Sequence, residues 1–140
     1  MIPSIPGNPT EHPSKKTILC IDDDVSILRY EKALLERSGY EVLTAASGQQ
    51  GLKLATTCQC DAVLLDYDMY GMNGQEVAAE IKLVKPELVV ILLSGREVPV
   101  QALALVDAFV PKLEASQQLL PIVAELSSRS QDSKHKRQSV

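Results

Sequence analysis

The chain has 140 residues, a formal net charge of -4, 45% apolar residues and 23% charged residues, which is the balance of a single soluble globular domain. These values exclude a disulfide scaffold, a collagen, a coiled coil and a wholly disordered protein. The longest apolar run, residues 88–93, is six residues long, far short of the roughly 20 that a membrane-spanning helix needs.

The two ends of the chain differ in composition from its middle. Residues 1–14 hold four prolines and no apolar stretch, which excludes a signal peptide and predicts a disordered leader. Residues 128–140 predict a disordered basic tail. Residues 127–140 carry a net +3, which leaves the rest at -7, so we expect no direct nucleic-acid binding. We therefore expect one domain over residues 15–127, located in the cytoplasm.

The three cysteines do not indicate a disulfide framework or a zinc site. Their number is odd, so no closed framework is formed. Cys20 lies in an apolar run and is predicted to be a small core residue. Cys58 and Cys60 form a lone C-x-C without a partner pair or a nearby histidine, so we expect no zinc there.

Between the two ends, strand and helix patterns alternate five times. The predicted strands cover residues 17–21, 41–44, 62–65, 88–93 and 108–110. The first predicted helix follows Asp24. The other four cover residues 48–56, 75–84, 98–105 (short) and 115–126. Near-continuous apolar strands joined by helices indicate an α/β fold, with a five-stranded parallel sheet covered on both faces.

Local signals mark the ends of these helices. Asp24 and Ser47 stand where N-caps are expected, and Gly39 stands where a left-handed cap ends the first helix. Pro121 falls inside the last helix and should bend or shorten its first part. The first helix has one apolar stripe, whose members recur seven residues apart: Ile27 and Leu34, Leu28 and Leu35.

Polar residues with a shared chemistry follow the carboxyl ends of four strands. The first strand ends in Asp22 and Asp23, the third in Asp66, the fourth in Ser94, and the fifth precedes Lys112. Ligands of such sheets bind at this edge. Carboxylates crowded together repel unless a cation lies among them, and oxygen ligands without Cys or His suit Mg2+ or Mn2+. With a hydroxyl and a lysine, the set suits phosphoryl transfer onto a carboxylate.

Each of these residues taken singly has a structural interpretation. Asp24 is predicted to be only the helix cap, Asp66 alone would be a turn residue, and Lys112 alone would be a surface lysine. Their succession at strand ends in this order is what favours a site.

This arrangement resembles the receiver domain of two-component response regulators. The resemblance is carried by residues 18–24 (ILCIDDD), by residues 61–74 (DAVLLDYDMYGMNG), and by residues 89–95 with 109–112. It covers about residues 16–126. It implies a CheY-like, flavodoxin-like three-layer fold with strand order 2-1-3-4-5.

The resemblance implies a role for each site residue. Asp66 would be the phosphoacceptor, and Ser94 and Lys112 would contact the phosphoryl group. Asp22, Asp23, Asp66 and the backbone carbonyl of Asp68 would bind Mg2+, with Asp23 a direct ligand and Asp22 acting partly through water. Ser94 and Phe109 would form the switch.

The resemblance also implies the partners. The phosphoryl donor would be a phosphohistidine of a sensor histidine kinase or a phosphotransfer protein. The chain would be a signalling phosphoacceptor with slow self-dephosphorylation rather than a turnover enzyme. Output would go through a downstream protein effector, or through a longer protein of which this chain is part, and a homodimer on phosphorylation is compatible with it.

The chain departs from the family pattern at four places. Leu113 follows the lysine where the family usually has a proline after a cis peptide; since a cis bond before Leu costs about 2.5–4 kcal/mol, we predict a trans bond. Pro111 precedes the lysine, and Tyr70 stands where the acceptor loop usually has proline. The segment 94–112 is short by about one helical turn, so we expect a short or irregular fourth helix and an altered partner face.

A further hypothesis concerns the lifetime of the phosphorylated state. Asp68 lies two residues after Asp66, and Arg96 lies two residues after Ser94. In the family these positions flank the attacking water. We expect opposite charges there to pair and to hinder that water.

Two other functions fit part of the pattern. Asp66-Tyr67-Asp68 after an apolar strand also suits the D-x-D of haloacid-dehalogenase-like phosphatases, but their later acidic pair and cap domain have no counterpart here. The second is a binding module that no longer uses phosphate, which the departure at Leu113 would favour.

Overall fold

The computed structural model describes residues 15–138, and their side chains as far as residue 128. The strands are β1 Thr17–Ile21, β2 Glu41–Ala45, β3 Ala62–Asp66, β4 Val89–Ser94 and β5 Ala108–Pro111. The helices are α1 Val25–Arg37, α2 Gly48–Thr57, α3 Gly74–Val84, α4 Val100–Leu103 and α5 Ala115–Gln138, and a 3-10 turn covers Lys112–Glu114. The predicted leader, residues 1–14, lies outside the described residues.

The five strands form one parallel sheet in the order β2-β1-β3-β4-β5. Strand order and orientation are as predicted, and each strand begins and ends within one residue of its predicted bounds. The order reverses between β1 and β3, which places a crevice at the carboxyl ends of these two strands.

Two apolar cores lie on opposite faces of the sheet, as expected for a three-layer fold. One contains Leu19 and Ile21 of β1 with residues of α2, α3 and α4. The other contains Ile18 and Cys20 of β1 with residues of α1 and α5. Successive residues of a strand point to opposite faces, and every residue of β3 and β4 is buried, which explains why these two strands show no polar alternation.

The helix starts follow the local sequence signals. Asp24 caps α1 by accepting the N–H of Ser26, and Ser47 caps α2 by accepting the N–H of Gln50, both as predicted. Gly39 has φ +97 after the end of α1, a conformation that glycine adopts without strain. Asn73 and Glu76 form a capping box at the start of α3, a feature not among the predictions.

Helix α4 is a single turn, in agreement with the short segment 94–112. The turn that follows it is attached to α3. Lys82 Nζ lies 2.7 Å from the carbonyl oxygen of Leu88 and 2.9 Å from Asp107 Oδ2. Asp107 Oδ2 also accepts the N–H of Val90 at 2.8 Å. These bonds fix the entry into β5.

Helix α5 differs from the prediction. It begins at Ala115 as expected but continues to Gln138 rather than ending at residue 126, so the predicted end is wrong, and helical backbone extends through most of the segment predicted as a disordered tail. Pro121 does not shorten the helix. This proline lies in the second turn, where its missing N–H removes one hydrogen bond close to the helix start.

Glycine at position 74 permits the close approach of α3 to the carboxyl end of β3. A Cβ at Gly74 would lie 2.7 Å from Tyr67 Cα and 2.8 Å from the backbone oxygen of Asp66. We predict that Gly74→Ala lowers the free energy of unfolding by about 1–3 kcal/mol, because backbone atoms cannot move aside cheaply. Urea denaturation measures this change. Gly95→Ala is the control, since a Cβ there meets nothing within 4 Å; equal stability of the two variants would contradict the prediction.

Candidate functional site

Three carboxylates meet where β1 and β3 end. Asp22 and Asp23 directly follow β1, and Asp66 is the last residue of the neighbouring strand β3. Each offers a carboxylate oxygen, and these oxygens lie within 4.8 Å of one another. Asp22 and Asp66 are only 2% and 4% exposed, whereas Asp23 is exposed. The predicted cluster is therefore present, with two of its three members buried.

The strand register brings the other two predicted residues to the same edge. Asp66 pairs with Leu93, and Ser94 is the next residue of β4. Ser94 pairs with Pro111 of β5, and Lys112 is the residue after it. Parallel alignment of the strand ends thus places the carboxylates, the hydroxyl and the ammonium at one edge.

Lys112 contacts both buried carboxylates. Its Nζ lies 2.8 Å from Asp66 Oδ1 and 3.4 Å from Asp22 Oδ2. Its side chain is 28% exposed, so these contacts are largely shielded from solvent. The other oxygen of Asp22, Oδ1, accepts the N–H of Asp24 at 2.9 Å.

Burial governs the acidity of the two carboxyl groups. Desolvation raises the pKa of Asp66 to about 6, against the lowering effect of Lys112, and the charge of Asp22 adds to the rise. Desolvation also raises the pKa of Asp22, although the N–H of Asp24 and Lys112 oppose it. Desolvation lowers the pKa of Lys112, but its contacts with Asp66 and Asp22 outweigh burial and raise it overall. The single ammonium of Lys112 therefore does not fully offset the effect of burial on the pKa values of the two carboxyl groups.

The residues present fit a hard divalent cation. The donors are carboxylate oxygens, and the described residues of the cluster include no sulfur or imidazole ligand. Such donors suit Mg2+ or Mn2+. Three carboxylates meet here and one ammonium, that of Lys112, contacts two of them, so a cation would neutralise the remaining negative charge.

Ser94 and Phe109 border a cavity of about 230 Å3 beside the cluster, lined by Ser94, Gly95, Arg96, Glu97, Phe109 and Pro111. The Ser94 hydroxyl is 1% exposed, and its oxygen accepts the N–H of Arg96 at 3.1 Å. Phe109 is half-buried against the core shared with α2, α3 and α4. Both residues lie where the sequence predicts them.

Arg96 joins the two loops that border Asp66. Its Nη2 lies 2.7 Å from Asp68 Oδ1, and its Nε lies 3.1 Å from each oxygen of that carboxylate. Its guanidinium carbon lies 5.4 Å from the ring centre of Tyr67. The predicted pairing of Asp68 with Arg96 is confirmed.

The loop after β5 reaches the cluster without a cis peptide. All described peptide bonds are trans, as predicted for the bond between Lys112 and Leu113, and Lys112 begins the 3-10 turn. Leu113 is 95% exposed and Tyr70 is 93% exposed. The N–H of Tyr70 donates to Asp23 Oδ2 at 3.0 Å, a contact between distant segments that the sequence does not signal.

Glu31, a buried acid of α1, is not among the site residues that the sequence predicts. Glu31 is 4% exposed and receives a hydrogen bond from the thiol of Cys20. Burial raises its pKa to about 8, and the charges of Asp22 and Asp66 contribute. The helical spacing indicates its burial, because Glu31 falls on the buried stripe of α1 between Leu28 and Leu35.

A family model for the response regulator receiver domain matches residues 18–124. The chain belongs to this family. The receiver domain is the signal-receiving module of two-component systems, and its members bind Mg2+ at an acidic pocket. This membership decides against the haloacid-dehalogenase-like alternative.

Curated proteins similar to this receiver include transcriptional regulatory proteins and a response regulator. The alkaline phosphatase synthesis transcriptional regulatory protein PhoP of Bacillus subtilis is 35% identical over 82 residues, which cover 59% of this chain and 34% of PhoP. Response regulator MprA of Mycolicibacterium vanbaalenii is 30% identical over 117 residues, covering 81% of this chain and 51% of MprA. This chain thus spans between a third and about half of these relatives.

Solved structures agree with the fold. A CheY-like receiver domain protein from Methanospirillum hungatei has a TM-score of 0.79 and 27% identity, over 86% of this chain and 99% of that one. Response regulator protein TrrA of Thermotoga maritima, solved in complex with Mg2+ and BeF, has a TM-score of 0.76 and 34% identity, over 79% and 98% of the two chains. None of the helices within residues 15–138 has the length and apolarity needed to cross a membrane.

The buried carboxyl of Glu31 makes the stability of the receiver depend on pH. Its pKa is about 8 in the folded state and near 4.5 when unfolded, so stability is lost as pH rises from about 4.5 to 8. We predict that Glu31→Gln, which carries no charge, is more stable than the wild type by about 4 kcal/mol at pH 8 and by only about 1 kcal/mol at pH 5. Urea unfolding at both pH values measures this; a stability difference independent of pH would contradict it.

Proposed function

We propose that this receiver is the phosphoacceptor of a His-Asp phosphorelay and that Asp66 carries the phosphoryl group. The observation that supports this most is the position of Asp66, a buried carboxylate 2.8 Å from the Lys112 ammonium and beside Asp22 and Asp23. A phosphoryl group bonded there would have a cationic partner and would lie next to a metal site. The proposed folding unit is residues 15–127.

The proposed reaction exchanges one bond at phosphorus. An Asp66 oxygen attacks the phosphorus of a phosphohistidine, the P–O bond forms, and the P–N bond to the histidine breaks. Lys112 and the Ser94 hydroxyl contact the transferred group and offset its charge. Since Asp66 must be ionised to attack, its pKa of about 6 leaves it competent at neutral pH.

The proposed metal ligands are Asp22, Asp23, Asp66 and the backbone carbonyl of Asp68. Asp23 would be a direct ligand, and Asp22 would act partly through water. When bound, Mg2+ would neutralise charge on the carboxylates and on phosphoryl oxygens; Mn2+ suits the same oxygens. The complex of TrrA with Mg2+ and BeF, in a protein of the same fold, supports this assignment.

The proposed output is a change of surface. Ser94 would leave the N–H of Arg96 to contact the phosphoryl group, and Phe109, which borders the same cavity, would turn inward. Because α4 is a single turn, the partner surface differs from that of a receiver with a longer fourth helix.

The partners would be a sensor histidine kinase or phosphotransfer protein and a downstream effector, in the cytoplasm. Several relatives are transcriptional regulators, so regulation of transcription is the class of output that we propose.

Acetyl phosphate with Mg2+ tests the phosphoacceptor. We expect intact-mass measurement to show one added phosphoryl group on the wild type, none without metal and none on Asp66→Asn. Asp24→Asn is the matched control, since asparagine caps a helix as well as aspartate does and the Asp24 side chain is bonded to Ser26 outside the cluster. A folded wild type that gains no phosphoryl group would favour the phosphate-independent binding module.

The contact between Asp68 and Arg96 yields a prediction for the lifetime of the phosphoryl group. An exposed ion pair contributes about 0.2–1 kcal/mol, so Arg96→Ala should speed dephosphorylation by about 1.5- to 5-fold by giving water access to Asp66. Loss of the phosphorylated mass after removal of acetyl phosphate measures the rate. Arg29→Ala, on the exposed surface of α1, is the control; an unchanged rate in Arg96→Ala would refute the hypothesis.

A further inference from the structure

A cavity between α1 and α5 contains an acid that the proposed reaction does not use. Its volume is about 120 Å3, and it is lined by Ile27, Tyr30, Glu31, Leu93, Lys112, Ala115 and Leu119. The lining is mostly apolar, and Glu31 is its acidic member. Lys112 lines this cavity and also contacts Asp66 of the acidic cluster.

A carboxyl group at this position is unfavourable for folding. Its neighbours Leu28 and Leu35 on the same helix face are apolar, and Cys20 beneath it is fully buried. A buried acid with one thiol donor gains little hydrogen bonding in return for its desolvation. Acids in such surroundings cluster at functional sites, and the member of the proposed site that lines the same cavity is Lys112.

We propose that Glu31 is a positioning residue for Lys112: uncharged, it leaves the ammonium on Asp66, and ionised, it draws the ammonium into the cavity and slows phosphorylation of Asp66. This inference rests on the proposed function. The ammonium is held by contacts of 2.8 and 3.4 Å to two carboxylates. A charge inside a cavity of low polarity competes with these contacts more strongly than an exposed charge would.

The charged and titratable groups around Glu31 fix the direction of the effect. Cys20 of β1 is its hydrogen-bond donor, and the charges of Asp22 after β1, Asp66 of β3 and Lys112 of the 3-10 turn act on it. Tyr30 of its own helix lines the same cavity. Asp22 and Asp66 favour the uncharged acid, and Lys112 favours the ionised one. Lys112 keeps its own charge across this pH range, because its pKa is raised above that of an ordinary lysine.

The test is the initial rate of phosphorylation by acetyl phosphate with Mg2+ between pH 7 and 9, followed by intact mass. A carboxyl with a pKa of about 8 passes from about one-tenth to about nine-tenths ionised over this range, so the wild-type rate should fall by up to about tenfold. Glu31→Gln should keep its pH 7 rate at pH 9. Tyr30→Phe, which removes the hydroxyl of the other polar side chain of α1 that lines the cavity, should follow the wild type.

Several outcomes would overturn the inference. A wild-type rate that stays level to pH 9, or a Glu31→Gln rate that falls in parallel with it, leaves Glu31 with a structural role only. Circular dichroism at pH 9 must show folded protein, and Glu31→Leu serves as a second uncharged variant if Glu31→Gln does not fold. A wild type that takes up no phosphoryl group at pH 7 would instead contradict the proposed function and this inference with it.

Discussion

The contact of one ammonium with two buried carboxylates is the constraint on which the site depends. Asp22 and Asp66 end adjacent strands and would repel each other in a dry environment. Lys112 reaches both of them because β5 ends beside Ser94 and a 3-10 turn follows at once. One positive charge against two buried negative charges leaves this edge of the sheet with net negative charge. A metal ion would therefore be attracted to it.

Much of the fold and the site follows from local sequence, because the deciding interactions are short in range. Ser47 and Asp24 bond to backbone groups two or three residues away, and β3 and β4 are apolar throughout because both faces are covered. Once parallel strands are inferred, Asp66, Ser94 and Lys112 must share an edge, since successive strand ends align. Their order along the chain was therefore sufficient to group them.

Other features depend on contacts between distant segments and could not be predicted in this way. The bond from Tyr70 to Asp23 joins two loops 47 residues apart, and no local pattern encodes it. The length of α5 was underestimated because its last turns lack an apolar stripe, which was the signal used to end the helix. Glu31 was visible in the helical period, but a polar residue on an apolar stripe has meaning only once Cys20 and Lys112 are known to lie against it.

The length of α5 has a mechanical consequence. The helix begins three residues after Lys112 and has 24 residues, which gives a rod about 36 Å long. Its first turn follows the 3-10 turn that begins at Lys112, the residue that contacts Asp66. A tilt of about 5° at the first turn would displace the last turn by about 3 Å. Small changes of charge at one edge of the sheet can thus be converted into a displacement large enough for a second molecule to detect.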